Sequence, residues 1–173
     1  MIKFLDIYNQ DKNLHKSILN DIKKLLKKTD FILGNEVNEF EKNFAKFCGS
    51  KFAIGCANGT DALTIALKAL NLPRNSEVII PAMTYCSTAF AVINANLKPV
   101  LVDIDYLKPT ISVEKIKKKI NSKTKVIIPV HLYGSSADLK SIKKLIKNKN
   151  IKIIDDCAQA HGAYDDSINL KKK

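Results

Sequence analysis

The spacing of apolar residues changes near residue 50 of the chain. Before that point, apolar side chains recur every three or four positions in two stretches, which contain Ile18, Ile22, Leu25 and Leu26 and then Val37, Phe40, Phe44 and Phe47. This spacing predicts amphipathic helices over residues 14–28 and 36–48, the second of which ends at Gly49. We expect residues 1–50 to form an N-terminal helical segment that covers the core.

After residue 50, short runs rich in valine and isoleucine alternate with stretches that have helical spacing. The pattern predicts five strands, over residues 52–56, 77–80, 99–102, 125–130 and 151–154, and four intervening helices, over residues 61–70, 87–94, 113–120 and 138–148. Continuous apolar strands are typical of a sheet that is buried on both faces. We therefore expect an α/β domain over residues 51–164, with a mainly parallel sheet between helices, and a solvated tail over residues 165–173.

Lysine supplies nearly all of the net charge of +12, because Arg74 is the only arginine in the sequence. Proteins that bind nucleic acids favour arginine and stacking aromatic residues, so the sequence predicts no nucleic-acid partner. No apolar run reaches the ~20 residues of a membrane span, and no export signal is visible, so we expect a cytoplasmic protein without a membrane partner. The four cysteines are far apart, which predicts free thiols rather than a metal site.

Residues 54–63 run from a predicted strand through a glycine-containing turn into a predicted helix. The first backbone N–H groups of a helix have no partner within it and favour an anion. Gly59 lets a ligand approach the backbone, and Thr60 adds a hydroxyl group, so a phosphate is the expected ligand. An ordinary strand-to-helix turn is the alternative explanation, because a short glycine motif is weak support by itself.

Other chemically active side chains follow predicted strands, where ligands of parallel sheets bind. Tyr85 follows the second strand and is either a site residue or a core tyrosine, and His131 follows the fourth and is either a site residue or a satisfied interior histidine. Asp155 and Asp156 follow the fifth strand without an adjacent basic residue. A carboxylate there needs a metal, a cationic ring or a helix N-terminus as its partner. If the strand geometry continues, the two side chains point to opposite sides, so we expect one to be structural.

Seven segments occur in an order that closely resembles the DegT/DnrJ family of nucleotide-sugar aminotransferases. They are Gly34-Asn35 before the Phe40-Glu41 helix, Asn58-Gly59-Thr60-Asp61-Ala62-Leu63, Glu77-Val78-Ile79-Ile80-Pro81, Thr84-Tyr85, Pro99-Val100-Leu101-Val102-Asp103, Val130-His131-Leu132-Tyr133-Gly134 and Asp156-Cys157-Ala158-Gln159-Ala160-His161-Gly162. The resemblance extends over residues 32–163. It implies the large domain of the aspartate-aminotransferase fold, with pyridoxal phosphate as the cofactor.

The resemblance also implies a role for five residues in binding this cofactor. Gly59 and Thr60 are expected to hold the phosphate, and Tyr85 is expected to stack on the pyridine ring. Asp156 is expected to pair with the protonated ring nitrogen, and Gln159 to form a hydrogen bond near the phenolic oxygen of the ring.

In this family the reaction transfers an amino group from glutamate to a keto group of a nucleotide-linked sugar, for cell-surface polysaccharide synthesis, and the intact proteins are homodimers. The lysine that forms the Schiff base follows a further loop and strand in relatives, whereas this chain departs from the pattern after Tyr164. The terminal Lys171, Lys172 and Lys173 have no matching context. The resemblance therefore implies a fragment, truncated before the last strands of the large domain and the small domain, without the catalytic lysine.

This truncation has two expected consequences. The strand over residues 52–56 loses its hydrogen-bonding neighbour, which is strongly disfavoured for buried backbone groups. The isolated chain is expected to bind the cofactor poorly and to have no transaminase turnover.

Two alternatives remain open from the sequence: a sugar dehydratase of the same family, in which histidine replaces the lysine, and a non-catalytic relic or binding module.

Overall fold

The computed structural model describes residues 3–163 of the chain. The helices of this region are α1 (Ile7–Gln10), α2 (His15–Lys28), α3 (Asn35–Cys48), α4 (Gly59–Ala69), α5 (Ser87–Asn94), α6 (Val113–Lys119) and α7 (Leu139–Ile146), with 3₁₀ turns at Lys12–Leu14 and Leu132–Gly134. Its strands are β1 (Glu77–Pro81), β2 (Lys98–Val102), β3 (Thr124–Ile127) and β4 (Lys152–Ile153). The predicted tail over residues 165–173, with its three terminal lysines, lies outside the described residues.

The strands that the structure describes form one parallel sheet in the order β2-β1-β3-β4. In the centre of this sheet, Ile79 of β1 pairs with Val100 of β2 on one side and with Ile127 of β3 on the other. Each of the four strands begins within one residue of its predicted start. The predicted α/β fold with a parallel sheet between helices is therefore confirmed.

Alternate residues of the strands point to two different helix layers. The α4–α5 face has a core that includes Leu63, Leu67, Val78, Ile80, Ala91, Val92, Val126 and Ile128. The α6–α7 face has a core that includes Ile79, Val102, Ile116, Ile127, Ile142 and Ile146. At β4, Ile153 packs on the α6–α7 face and Ile154 on the α4–α5 face. This alternation determines the direction of the side chains that follow β4.

The predicted strand over residues 52–56 is wrong, because this stretch has no strand assignment in the structure. A strand exists only where a neighbour accepts and donates its ladder hydrogen bonds, and none of the four described strands pairs with it. The N–H of Gly55 instead donates to Oε1 of Glu41 in α3, at 2.6 Å. Ile54, which the pattern assigned to a buried strand, is 85% exposed.

The two predicted N-terminal helices are confirmed as α2 and α3, and Gly49 ends α3 with a φ of 67°. The expectation that both helices cover the core is wrong for α2, which contains no buried residue. Its apolar stripe, which includes Ile18, Ile22 and Leu26, is exposed in the structure. Among residues 3–163, no helix has the length and apolar character that crossing a membrane requires.

Candidate functional site

The start of α4 is fixed by the side chain of Asn58. Its Oδ1 accepts a hydrogen bond from the Asp61 N–H, and its Nδ2 donates to Oδ2 of Asp61, both at 2.9 Å. Asn58 has an extended backbone, as expected for an N-cap residue. Within residues 3–163, the amides of Gly59 and Thr60 donate no hydrogen bond. The helix therefore begins with two free N–H groups at its positive end.

Gly59 leaves open space at this helix start. A Cβ added at Gly59 meets no atom within 4 Å, and the residue has no positive φ. Neither a tight contact within the described chain nor a left-handed backbone therefore requires glycine here. This favours the approach of another molecule over the alternative of a turn that needs glycine for its conformation.

Thr60 and Ser87 bring the starts of α4 and α5 together. The Oγ1 of Thr60 donates to the Oγ of Ser87 at 2.7 Å, and the two helices pack along the same face of the sheet. Their positive ends therefore converge on one place. The sequence analysis did not identify this role of Ser87. Its side chain caps no N–H of α5, and only the hydroxyl-rich stretch before α5 pointed to it.

Tyr85 lies on the loop between β1 and α5, next to this pair of helix starts. Its carbonyl oxygen accepts the N–H of Thr88 at 3.1 Å, which anchors the backbone, while 72% of the residue is exposed. The alternative of a core tyrosine is therefore wrong. The ring is available to stack against a ligand at the carboxyl edge of the sheet.

Asp155 and Asp156 have different surroundings because consecutive residues of an extended chain point to opposite faces of the sheet. Asp156 forms a parallel bridge with Val130, and by alternation from Ile154 its side chain lies on the α4–α5 face. Its Oδ1 accepts the N–H of Ala158 at 3.1 Å. None of the ion pairs within residues 3–163 includes Asp156. This half-buried carboxylate is therefore without a cationic partner in the described chain.

Asp155 faces the buried ring of His131, with 3.6 Å between its Oδ1 and the ring Nε2. The Asp155 carboxylate, and after it the side chain of Cys157, raises the pKa of His131 above its ordinary value. The amide of Ala137 opposes this rise, because it donates to Nδ1 at 3.0 Å and so requires a lone pair there. We assign the single ring proton to Nε2. His131 is thus a satisfied interior histidine, and Asp155 is the structural member of the aspartate pair.

Gln159 follows Asp156 by three positions and lies beside the 3₁₀ turn after β3. Its Oε1 accepts the backbone N–H of Tyr133 at 2.8 Å. Sequence reasoning missed Tyr133, which has a positive φ of 55°. The adjacent Gly134, with a φ of 78°, was the only signal in the sequence that this turn is left-handed.

The predicted residues all lie at the carboxyl edge of the parallel sheet. Thr60 and Tyr85 adjoin the helix starts on the α4–α5 face, and Asp156 points to that same face from the end of β4. Within residues 3–163, the set offers N–H groups that donate no hydrogen bond, an exposed aromatic ring, a carboxylate without a cationic partner and an amide. This donor set fits pyridoxal phosphate, which has a phosphate at one end and a protonated ring nitrogen at the other.

The sequence and the fold both match known proteins. The model of the DegT/DnrJ/EryC1/StrS aminotransferase family matches residues 12–170. The dTDP-3-amino-3,6-dideoxy-alpha-D-galactopyranose transaminase of Aneurinibacillus thermoaerophilus is 44% identical over 163 residues, which are 94% of this chain and 45% of that protein.

Two solved structures extend the comparison to the fold. The structure of DesV from S. venezuelae is 34% identical, with a TM-score of 0.89 over 93% of this chain and 43% of DesV. A GDP-4-keto-6-deoxymannose-3-dehydratase with a trapped PLP-glutamate geminal diamine is 28% identical, with a TM-score of 0.81 over 86% of this chain and 40% of that protein. The chain thus spans less than half the length of these relatives. It belongs to the DegT/DnrJ/EryC1/StrS aminotransferase family, whose members depend on pyridoxal phosphate.

Proposed function

We propose that this chain forms the cofactor-binding part of a pyridoxal-phosphate-dependent nucleotide-sugar aminotransferase. One observation carries the proposal: the carboxylate of Asp156, which has no cationic partner within residues 3–163, points to the sheet face on which the starts of α4 and α5 converge. An acid and an anion site on the same face and edge suit a ligand that is cationic at one end and anionic at the other.

In this proposal the phosphate is bound by the free amides of Gly59 and Thr60 and by the hydroxyl groups of Thr60 and Ser87. The open space at Gly59 supports it, because a phosphate must approach the backbone closely to accept these N–H groups. The contact between Thr60 and Ser87 supports it further, because one phosphate reaches both hydroxyl groups when they lie 2.7 Å apart.

Tyr85 and Asp156 act on the ring. The exposed Tyr85 side chain stacks on it and excludes water from that side. Asp156 holds a proton on the ring nitrogen, since its carboxylate has no competing cation in the described chain. When bound, pyridoxal phosphate supplies an electron sink, which depends on that protonated nitrogen.

The substrates are proposed from the relatives. We infer that the intact protein moves an amino group from glutamate to a nucleotide-linked keto sugar, as a cytoplasmic homodimer, for polysaccharide synthesis. A dehydratase is the second candidate, because one such structure matches with a TM-score of 0.81. The aminotransferase is favoured, because the dTDP-sugar transaminase is 44% identical and the dehydratase only 28%.

The covalent lysine is proposed to come from a segment that the relatives have beyond the part matched here. On this proposal, the 173-residue chain binds pyridoxal phosphate without a covalent bond and does not turn over substrate. Borohydride reduction followed by mass spectrometry tests this. One stoichiometric adduct on a single lysine of this chain, formed at an equimolar amount of pyridoxal phosphate, would contradict it.

A titration with pyridoxal phosphate, followed by its absorbance, tests the site. Loss of a charge-assisted hydrogen bond costs about 1.5–3 kcal/mol, so the Asp156→Asn variant should bind roughly 10–150-fold more weakly. The matched control is Asp155→Asn, the same change one residue earlier on the α6–α7 face, and it should retain the affinity. Equal losses in both variants, with circular dichroism unchanged, would reject the proposed site.

A further inference from the structure

The turn after β3 contains two consecutive left-handed residues. Tyr133 has a φ of 55° and a ψ of 27°, and Gly134 has a φ of 78°. Glycine adopts this conformation freely, but for a residue with a side chain the left-handed region costs roughly 1–2 kcal/mol. Something in the surrounding structure must therefore hold Tyr133 in place.

The side chain of Tyr133 is not what holds it, because the residue is 73% exposed. Its backbone is held by the hydrogen bond from its N–H to Oε1 of Gln159, at 2.8 Å. The N–H of Ser135 closes the turn on the carbonyl oxygen of Leu132 at 3.0 Å, and Leu132 is buried on the α4–α5 face. The left-handed backbone thus serves to direct one N–H group at one side-chain amide.

This contact determines which way the Gln159 amide faces. A backbone N–H can only donate, so the oxygen of the amide must face Tyr133 and the amino group must face away. Within residues 3–163, Nε2 of Gln159 has no hydrogen-bond partner, and the residue is exposed. Rotating the amide by 180° would place two donors against each other and break the bond to Tyr133.

The amino group of the Gln159 side chain is held in a fixed position relative to Asp156. The N–H of Ala158 donates to Oδ1 of Asp156 at 3.1 Å, and the N–H of Ala160 donates to the carbonyl oxygen of Cys157 at 2.9 Å. The first bond closes a turn that ends before Gln159, and the second closes a turn that contains Gln159. A carboxylate and an amide donor are therefore held at a set spacing along the edge of the site.

We propose that Tyr133 is a positioning residue, whose left-handed backbone N–H fixes Gln159 as a hydrogen-bond donor toward an oxygen of the ligand that Asp156 binds. The choice of ligand rests on the proposed function: in pyridoxal phosphate this oxygen is the phenolic one. The backbone of Tyr133 performs this positioning role. The aromatic ring is therefore not required, whereas the left-handed backbone conformation is.

Substitutions at position 133 distinguish the contribution of the backbone conformation from that of the aromatic ring. Glycine and asparagine adopt the left-handed region readily, whereas a β-branched residue does not. Tyr133→Gly and Tyr133→Asn should therefore keep the affinity for pyridoxal phosphate, and Tyr133→Val should lower it roughly tenfold. If the glycine and asparagine variants lose as much affinity as the valine variant, the ring makes the contact and the proposal is overturned.

The donor role is tested with an analogue of pyridoxal phosphate that lacks the phenolic oxygen. Gln159→Glu keeps an acceptor for the Tyr133 N–H but removes the donor, so it should weaken binding of the cofactor and leave binding of the analogue nearly unchanged. Similar losses for both ligands would contradict a donor role for Gln159.

Hydrogen exchange in the ligand-free protein tests the positioning contact even if pyridoxal phosphate does not bind. The amide of residue 133 should be protected in the wild type and in Gln159→Glu, and it should exchange roughly tenfold faster in Gln159→Met, whose thioether is only a weak acceptor. Failure of cofactor binding with this pattern intact would reject the proposed function alone. Equal exchange in all three proteins would reject the positioning contact.

Discussion

Thr60 Oγ1 and Ser87 Oγ lie 2.7 Å apart, although the two residues are 27 positions apart in the sequence. The contact joins the first turns of α4 and α5, which pack together on one face of the sheet. It is a polar contact between two helix ends that lie above the carboxyl edge of the strands. The proposed anion site therefore depends on tertiary packing of two helices as well as on a local turn.

Replacing the Thr60 hydroxyl should weaken anion binding without unfolding the protein. Thr60→Val keeps the shape of the side chain but removes one hydrogen bond, worth about 1 kcal/mol, so the Kd for pyridoxal phosphate should rise roughly fivefold. Equilibrium titration measures this. The control is Thr64→Val, one turn further along α4, where the hydroxyl donates to the carbonyl oxygen of Thr60 inside the helix. A larger loss of affinity in the control than in Thr60→Val would place the anion elsewhere.

The N-cap of α4 should contribute to the stability of the whole domain. Asn58→Ala removes the acceptor for the Asp61 N–H and should lower the free energy of unfolding by about 1 kcal/mol. Denaturant unfolding measures the change. Asn58→Ser retains a capping oxygen and should recover most of the loss. No difference between the alanine and serine variants would show that the cap is energetically neutral.

Much of the fold could be predicted from the sequence, because apolar spacing is a local signal. The strands β1 to β4 and the helices between them begin near their predicted starts. The stretch over residues 52–56 is also apolar, but a strand needs a neighbour as well, and the local sequence does not reveal whether a neighbour is present. Helix α2 is a similar case. Its apolar stripe predicts a buried face, but the spacing of apolar residues does not show which element covers that face.

The residues of the candidate site also fall into two groups, those that the sequence indicated and those that it did not. Tyr85 and Asp156 could be proposed because they follow strands, and Thr60 because it adjoins a helix start, which are features that sequence patterns mark. Ser87 and Tyr133 were missed, since their roles arise from contacts with residues 27 and 26 positions away. No local propensity predicts a left-handed tyrosine, whose conformation costs free energy that only a distant contact offsets.

The exposed stripe of α2 predicts an unusual tolerance to polar substitution. Ile22 belongs to a helix without a buried residue, so Ile22→Gln should change the free energy of unfolding by no more than about 0.5 kcal/mol. In contrast, Ile116→Ala removes a fully buried side chain from the α6–α7 face and should cost about 2–5 kcal/mol. Denaturant unfolding of the two variants compares them. A loss above 2 kcal/mol in Ile22→Gln would mean that the stripe is covered by another surface.

Glu77, at the start of β1, should make the stability of the domain depend on pH. Its Oε2 accepts a hydrogen bond from Nδ2 of Asn121 at 2.7 Å, and its Oε1 lies 3.3 Å from Nζ of Lys98. The bond from Asn121, followed by that from Lys98, lowers the pKa of Glu77 below its ordinary value of 4.5. The folded state therefore favours the ionised carboxylate more than the unfolded state does.

The sign of the pH effect follows from this lowered pKa. The ionised Glu77 stabilises the fold fully above pH 4.5, and this contribution is lost as the pH falls through the lower pKa of the folded state. Glu77→Gln cannot ionise, so the wild type should be the more stable protein at pH 7 and the difference should shrink below about pH 4.5. Thermal unfolding of both proteins from neutral to acidic pH measures it. A difference that stays constant or grows on acidification would show that the lowered pKa does not contribute to stability.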